Sequence, residues 1–292
     1  MKLVKEKAIQ VIMSALSEDV ASGDITSNAV FEKDKIVIAQ IVCGQDCVLA
    51  GVDVAKWVFS SLDEKMMFRP LCNDGDKVKK KKRVISLKGS IKNILAGERT
   101  ALNFLGRLSG IATLTGEFVK KTKGSRAKIY DTRKTTPGMR VLEKYAVRMG
   151  NGYNHRMGLW DSILIKDNHL QATSDKRQGT RIKPIEESIK KARARGYKNI
   201  EIEVENIKEL QAALASGADI IMLDNMKIED VRKAVRLKET NDKRQGARTV
   251  IEVSGGVTLD SVAKIAKTRV DRISIGSLTH SAPGIDFSLE IG

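Results

Sequence analysis

Six short apolar runs in this chain end in side chains that can do chemistry. Ala127–Tyr130 runs into Asp131-Thr-Arg-Lys-Thr-Thr-Pro-Gly138, which sets Arg133 and Lys134 just ahead of a break at Pro137-Gly138. Ile163–Ile165 ends in Lys166-Asp-Asn-His169, and Ile200–Val204 carries Glu201, Glu203 and Glu205. Asp219–Leu223 ends in Asp224-Asn225, Val250–Val253 in Ser254-Gly-Gly256, and Arg272–Ile275 in Gly276-Ser277. A seventh segment, Met149-Gly-Asn-Gly-Tyr-Asn-His-Arg156, is too glycine-rich for a plain helix and puts His155 and Arg156 on an irregular turn. Gathered together, Arg133, Lys134, Arg156 and Lys166 repel one another unless an anion joins them. Arginine forks match carboxylates in bidentate fashion. Glu203 and Asp224 come from neighbouring runs and suit a hard divalent ion that keeps several waters and also binds phosphate. Glycines behind a strand leave backbone N–H groups free to cradle a phosphate, most of all where a helix follows, as expected after Ser254-Gly-Gly256. The chemistry implied is a carboxylated substrate meeting a phosphorylated, magnesium-bound one. His155 is read equally well as a packed residue or as a ligand.

These groups need a frame that collects them. Ile207, Leu210 and Leu214, then Ile228, Val231 and Val235, then Leu259, Val262, Ala263 and Ala266 follow helical spacing between the later runs. Alternating strand and helix means parallel strands. Parallel strands closed into a barrel bring their C-terminal ends to one mouth, where such barrels do chemistry. A complete barrel has about eight strands, so six imply an incomplete or irregular one.

The first third reads differently. Residues 3–16 form an amphipathic helix with Ile9, Ile12, Met13 and Leu16 on one face, and a loop follows through Ser27. Lys35–Val42 and Val48–Gly51 are strand-like, and 52–62 is helical. The cation run Lys79–Arg83 precedes Ile85, Leu87 and Ile91 at strand spacing and reads as a solvated hairpin tip. Ala101, Phe104, Leu105 and Leu108 form a buried helical stripe with Arg99 off it, on the surface, and a second stripe starts at Ile111. The fold class is α/β: an N-terminal domain over 1–108, an incomplete (β/α) barrel over 109–276, and a tail over 277–292 that returns to the first domain. Two loops share a nearly identical heptad, Asp175–Arg181 and Asp242–Arg248, whose composition suits exposed loops.

With 52 Lys and Arg against 36 Asp and Glu, the net charge of +16 calls for an anionic partner. Aromatics at 4% disfavour a platform for stacking nucleic-acid bases. Glu203 and Asp224 at strand ends would also repel a phosphate backbone, which leaves only net charge in favour of nucleic-acid binding. Cys43, Cys47 and Cys72 make no zinc pattern, and an odd count fits the reducing cytoplasm. No apolar stretch spans a bilayer.

Several motifs in order carry a resemblance: Gly23-Asp-Ile-Thr-Ser27, Glu98-Arg-Thr-Ala-Leu-Asn-Phe-Leu105, Ser109-Gly-Ile-Ala-Thr113 and Thr132-Arg-Lys-Thr-Thr-Pro-Gly138, then His155-Arg156, Lys166-Asp-Asn-His169, Leu223-Asp-Asn225 and Ser254-Gly-Gly256. Nearly end to end, the chain resembles the quinolinate phosphoribosyltransferase family. The resemblance implies an N-terminal α/β sandwich domain, an incomplete α/β barrel and a homodimer. It implies conversion of quinolinate and phosphoribosyl pyrophosphate to nicotinate mononucleotide, pyrophosphate and carbon dioxide in NAD biosynthesis. By motif, Arg133, Arg156 and Lys166 would hold the quinolinate carboxylates with His155 beside them, and Arg99 would reach the same pocket from the partner subunit. Lys134 would contact phosphoribosyl pyrophosphate. Glu203 and Asp224 would bind ribose hydroxyls and Mg2+, and Ser254, Gly255, Gly256 and Gly276 would bind phosphate. The chain departs from the family's usual three glycines before His155-Arg156, with Gly150-Asn-Gly152 in their place. A paralogous pyrophosphorylase associated with molybdenum transport shares several motifs, but its counterpart of Lys166-Asp-Asn-His169 lacks the lysine.

Overall fold

The structure, a computed structural model, describes residues 3, 5–173, 181–246 and 248–292. In chain order, α1 (Lys5–Val20) and α2 (Ile25–Val30) precede β1 (Ile36–Cys43) and β2 (Cys47–Val48). Helix α3 (Val52–Leu62) leads to β3 (Met67–Pro70), β4 (Lys77–Val78) and β5 (Arg83–Ser90). A long helix, α4 (Ile91–Lys121), precedes β6 (Lys128–Tyr130) and α5 (Arg140–Met149). Then come β7 (Leu164–Ile165), α6 (Asp167–Thr173) and α7 (Ile182–Ala194). Strand and helix alternate through β8 (Glu201–Val204), α8 (Ile207–Ala215), β9 (Ile220–Asp224) and α9 (Ile228–Gln245). The alternation ends with β10 (Val250–Ser254), α10 (Val262–Ala266), β11 (Arg272–Ser274), α11 (Ser277–His280) and β12 (Phe287–Ile291).

The chain divides into two compact units. The first holds Met1–Glu117, Lys134–Gly152 and Gly276–Gly292; the second holds Phe118–Arg133 and Tyr153–Ile275. In the first unit an antiparallel sheet has the order β12-β1-β5-β3. Ala39 pairs with Leu87 and Ile41 with Ile85, and all four side chains are fully buried. Ile36, Ile38 and Met67 point the other way and are exposed. That period of two is the mark of a sheet covered on one face only. Strand β12 pairs with β1, so the tail does return to the N-terminal sheet. The stripe Ala8, Ile12 and Leu16 of α1 is buried, and a fully buried isoleucine contributes roughly 1.5–3 kcal/mol.

Three expectations change in this unit. The loop expected from Ser17 to Ser27 is the end of α1 followed by α2, because the Asp24 side chain accepts the Ser27 N–H at 3.0 Å and caps a new helix. The strand spacing that includes Ile91 ends at Ser90, and Ile91 opens α4. The two stripes split near Ser109 belong to one helix of 31 residues. Gly106 and Gly110 do not break it; they leave room for the returning chain. Ile285 N–H donates to Gly106 O at 3.0 Å, and a Cβ on Gly110 would collide with Pro283 O.

The second unit is built on a parallel sheet with the order β6-β11-β10-β9-β8-β7. All six apolar runs are its strands. Every residue of β8 is buried, and so are the first four of β9, as a sheet covered on both faces requires. Tyr153 extends the edge beside β6, donating its N–H to Ile129 O at 2.8 Å and accepting the Asp131 N–H at 3.0 Å. The second Asp-Lys-Arg-Gln-Gly stretch is not a loop: α9 runs through Gln245, and Gly246 ends it at φ +64°. Residues 175–180 of the first copy lie outside the described residues.

Candidate active site

Side chains alternate along a strand, so Glu201 and Glu203 share one face of β8 while Ile202 and Val204 face the other way. Register carries that face across the sheet. Glu203 lies opposite Met222, Met222 opposite Glu252, Glu252 opposite Arg272, and Ser254 opposite Asp224. The inner face of the second unit therefore holds four carboxylates, from Glu201, Glu203, Asp224 and Glu252, amid apolar strands.

His155 is held over them from outside the sheet. The buried Asp131 carboxylate accepts the His155 N–H at 2.8 Å and the Asn154 amide at 2.6 Å, which fixes the segment after Tyr153. His155 Nε2 then lies 3.3 Å from Glu201 Oε1 and 3.4 Å from Glu252 Oε1. Burial alone would lower the imidazole pKa; the hydrogen bonds and charges of Glu201 and Glu252 outweigh it and push it up to about 10. Burial, with the nearby Glu252 charge, raises Glu201. Ser274 donates its hydroxyl to Glu252, and Arg272 sits 3.7 Å from the same carboxylate and 4.9 Å over the Tyr130 ring. The donor atoms of His155, Glu201 and Glu252 lie within 4.8 Å of one another. The imidazolium already supplies the positive charge that this group needs. Glu252 is the residue the sequence reading missed. Its signal is a single acid in the middle of an apolar run, at the same parity as Ser254.

Arg156 follows directly and is 8% exposed. One guanidinium nitrogen donates to Ser162 O at 3.0 Å, while its Nε has no hydrogen-bond partner among the described residues. Burial first, and then the positive charge of Arg133, lower its pKa. It lines a cavity of about 480 Å³ with His155, Tyr130, Glu201, Arg248 and Arg272. That cavity opens at the starts of β8 to β11, beside Asn199, Asp219 and Val250, rather than at the strand ends. Lys166 stands at the other end, after β7, with its Nζ 2.6 Å from Glu203 Oε2. Glu203 and Glu201 are one alternation apart, about 7 Å along the strand. The Lys166–Glu203 pair is thus one layer above the His155 network on the same face.

Asp224 lies one alternation further on and accepts the Asn225 amide at 2.8 Å. Asn225 N–H donates to Ser254 O at 3.0 Å, and a Cβ on Gly255 would strike the Asn225 carboxamide. Gly255 at φ +91° and Gly256 at φ +58° are both left-handed, a conformation glycine adopts at no steric cost. The helix expected directly behind these glycines is not there. Helix α10 begins at Val262 and has five residues, so any anion contact comes from the turn's own N–H groups.

Arg99, Lys134 and Gly276 belong to the first unit. Arg99 is exposed on α4, as its off-stripe position suggests, and Lys134 is exposed. Gly276 caps the short α11, and a Cβ there would come within 3.0 Å of the Lys134 stem. Thr279 of α11 donates its hydroxyl to Lys134 O at 2.7 Å.

A parallel α/β sheet of this kind, with buried carboxylates and crowded cations on one face, defines an α/β-barrel enzyme for anionic substrates. The chain belongs to the quinolinate phosphoribosyl transferase family: the family's N-terminal domain matches residues 24–109 and its C-terminal domain residues 111–290. It is 44% identical over 276 residues to the probable carboxylating nicotinate-nucleotide pyrophosphorylase of Bacillus subtilis, covering 94% of this chain and 90% of that protein. It is 36% identical over 290 residues to the carboxylating nicotinate-nucleotide pyrophosphorylase of Mycobacterium leprae, covering 98% of each. The solved nicotinate-nucleotide pyrophosphorylase of Francisella tularensis is 38% identical and superposes with a TM-score of 0.90, covering 100% of this chain and 98% of that one.

Proposed function

We propose that the protein transfers the phosphoribosyl group of phosphoribosyl pyrophosphate to quinolinate with loss of carbon dioxide, forming nicotinate mononucleotide and pyrophosphate for NAD synthesis in the cytoplasm. One observation carries the site: the buried Arg156 guanidinium has an Nε without a hydrogen-bond partner among the described residues and feels the charge of Arg133. The Arg133 charge disfavours the buried Arg156 cation, and a bound dicarboxylate would offset both. Arg133, Arg156 and Lys166 bind the quinolinate carboxylates. Lys166 exchanges its contact with Glu203 for one with substrate. His155, held charged by Glu201 and Glu252, stiffens the turn that presents Arg156.

Glu203 and Asp224 lie on adjacent strands and are offset by one alternation, a diagonal of roughly 7–8 Å. That spacing suits Mg2+ held partly through its waters, together with the ribose hydroxyls. When bound, the ion offsets negative charge on the departing pyrophosphate. Ser254, Gly255 and Gly256 offer N–H groups to the phosphate, and Lys134 and Gly276 contact the pyrophosphate moiety. The ring nitrogen of quinolinate forms a bond to the anomeric carbon as the bond to pyrophosphate breaks, and holding the two in line is the positioning contribution. The ring is then cationic. Its positive charge stabilises the electron pair left on the ring carbon when the adjacent carboxylate departs as carbon dioxide, and a proton from water then takes that pair. Arg99 acts in a homodimer, entering the partner's pocket.

The test is a product assay with magnesium, quinolinate and phosphoribosyl pyrophosphate. Pyrophosphate and carbon dioxide should appear in equal amounts; pyrophosphate release with nicotinate but not quinolinate overturns the assignment. Mixing Arg99→Ala with Arg133→Ala subunits should restore part of the activity. No recovery, with subunit exchange confirmed, removes Arg99 from the partner's pocket.

A further inference from the structure

The first unit spends a fully buried charge on one short loop. Glu143, on α5, is 0% exposed. Its Oε1 accepts the Arg107 Nη2 at 2.7 Å, the Arg107 Nε at 3.1 Å and the Thr136 hydroxyl at 2.9 Å. Its Oε2 accepts the Thr136 N–H at 3.1 Å. Arg107, on α4, donates onward to Thr279 O and, at 3.3 Å, to Ala282 O. Thr279, itself 0% exposed, closes the ring by donating its hydroxyl to Lys134 O. Two helices, the start of the C-terminal segment and the loop 134–136 are thus tied through one carboxylate and one guanidinium.

A buried ion pair is seldom more stabilising than apolar residues of the same volume, because both charges must be stripped of water. What this one does that apolar packing cannot is fix a backbone. Every bond from Glu143 to the loop ends on Thr136, and the bond from Thr279 ends on the carbonyl of Lys134. The Lys134 stem lies against Gly276, one residue before the helix that carries Thr279. We propose that Arg107, Glu143 and Thr279 are positioning residues that hold the Lys134 ammonium and the Gly276 turn at a set spacing for the pyrophosphate moiety of the phosphoribosyl donor. The inference rests on the reading that Lys134 and Gly276 contact that donor. All three act through the backbone of Lys134 and Thr136.

The experiment is steady-state kinetics with each substrate varied in turn, alongside thermal unfolding, for Thr279→Val, Thr279→Ser, Glu143→Gln and Lys134→Ala. Thr279→Val removes the hydroxyl that is shared between Lys134 O and Gly276 O, at nearly constant volume. It should raise the KM for phosphoribosyl pyrophosphate about tenfold, the worth of one well-placed bond, and leave the KM for quinolinate unchanged. Thr279→Ser keeps the hydroxyl and should restore the wild-type value. Glu143→Gln should shift the same KM in the same direction, and it decides the matter if Thr279→Val does not fold. A purely structural role predicts lower kcat in proportion to the folded fraction with both KM values unchanged, and that result overturns the proposal. If Lys134→Ala leaves the KM for phosphoribosyl pyrophosphate unchanged, the reading of Lys134 itself fails, and this outcome is distinct from a failure of the other variants alone.

Discussion

Among the buried glutamates that hold cations, Glu143 and Glu203 do so in opposite ways. Glu143 grips Arg107 in the first unit, and Glu203 grips Lys166 in the second. The Arg107 side chain is 27% exposed and spends its donors on Glu143 and two backbone carbonyls. The Lys166 side chain is 41% exposed and has Glu203 as its ion-pair partner. A guanidinium whose fork is filled by the protein is a brace. An ammonium with three donors, near a strand end and facing out, can turn to a ligand at small cost. Buried charge alone therefore does not separate a brace from a cation that could take a ligand; how many of its donors the protein already fills bears on that difference. By that measure Arg156, whose Nε has no hydrogen-bond partner among the described residues, belongs with Lys166 rather than with Arg107.

The sharpest break in this comparison comes from Glu143→Ala, which leaves the half-buried Arg107 without its counterion. Urea unfolding should show a loss of about 2–3 kcal/mol, less than the roughly 3–5 kcal/mol of a fully buried pair because the guanidinium keeps partial contact with water. Lys166→Ala should be felt first in catalysis. Its kcat/KM for quinolinate should fall about 100-fold, as expected for a charge-assisted contact to substrate, and urea unfolding should also lose about 1–3 kcal/mol because Glu203 is left buried without its counterion. If Lys166→Ala leaves kcat/KM for quinolinate unchanged, the distinction between brace and ligand-holding cation is void.

His155 sharpens the comparison through pH. Its folded pKa of about 10 lies above the ordinary histidine value of 6.5. The stability it contributes is fully present below about pH 6.5, and is lost as pH rises through about 10. NMR should find the ring protonated at pH 8. Wild-type stability should fall between pH 7 and 10 more steeply than that of His155→Gln. A ring that titrates near 6.5 would show that the glutamates do not hold it charged. The smallest effect belongs to Lys79→Ala. Its partner Asp46 is also largely exposed, and no change in Tm is expected by differential scanning calorimetry.

Much of the second unit could be read from the chain because each of its strands is an apolar run with a polar tail, and run and tail together give both the strand and where it ends. The partners of those tails could not be read. Glu201 and His155 are 46 residues apart, and Arg107 and Glu143 are 36 apart. Nothing in Val141-Leu-Glu-Lys144 separates a buried brace from an ordinary surface acid, since only the neighbouring helix decides which it is. The break expected near Ser109 has a similar cause. Glycine and serine read locally as a helix end, yet here Ser109 bonds to both the N–H and the carbonyl of Ala50, and Gly110 makes room for Pro283. Tertiary contacts turned helix-breaking residues into packing residues.

The central claim is that buried guanidinium capacity in the second unit awaits a dicarboxylate. Isothermal titration calorimetry of quinolinate and of nicotinate against the wild-type protein and Arg156→Ala tests it most directly. Quinolinate should bind wild-type at least about tenfold more tightly than nicotinate, the worth of one extra charge-assisted contact, and Arg156→Ala should abolish that preference. Equal affinity of the wild-type protein for both acids, or a preference that survives in Arg156→Ala, would contradict it.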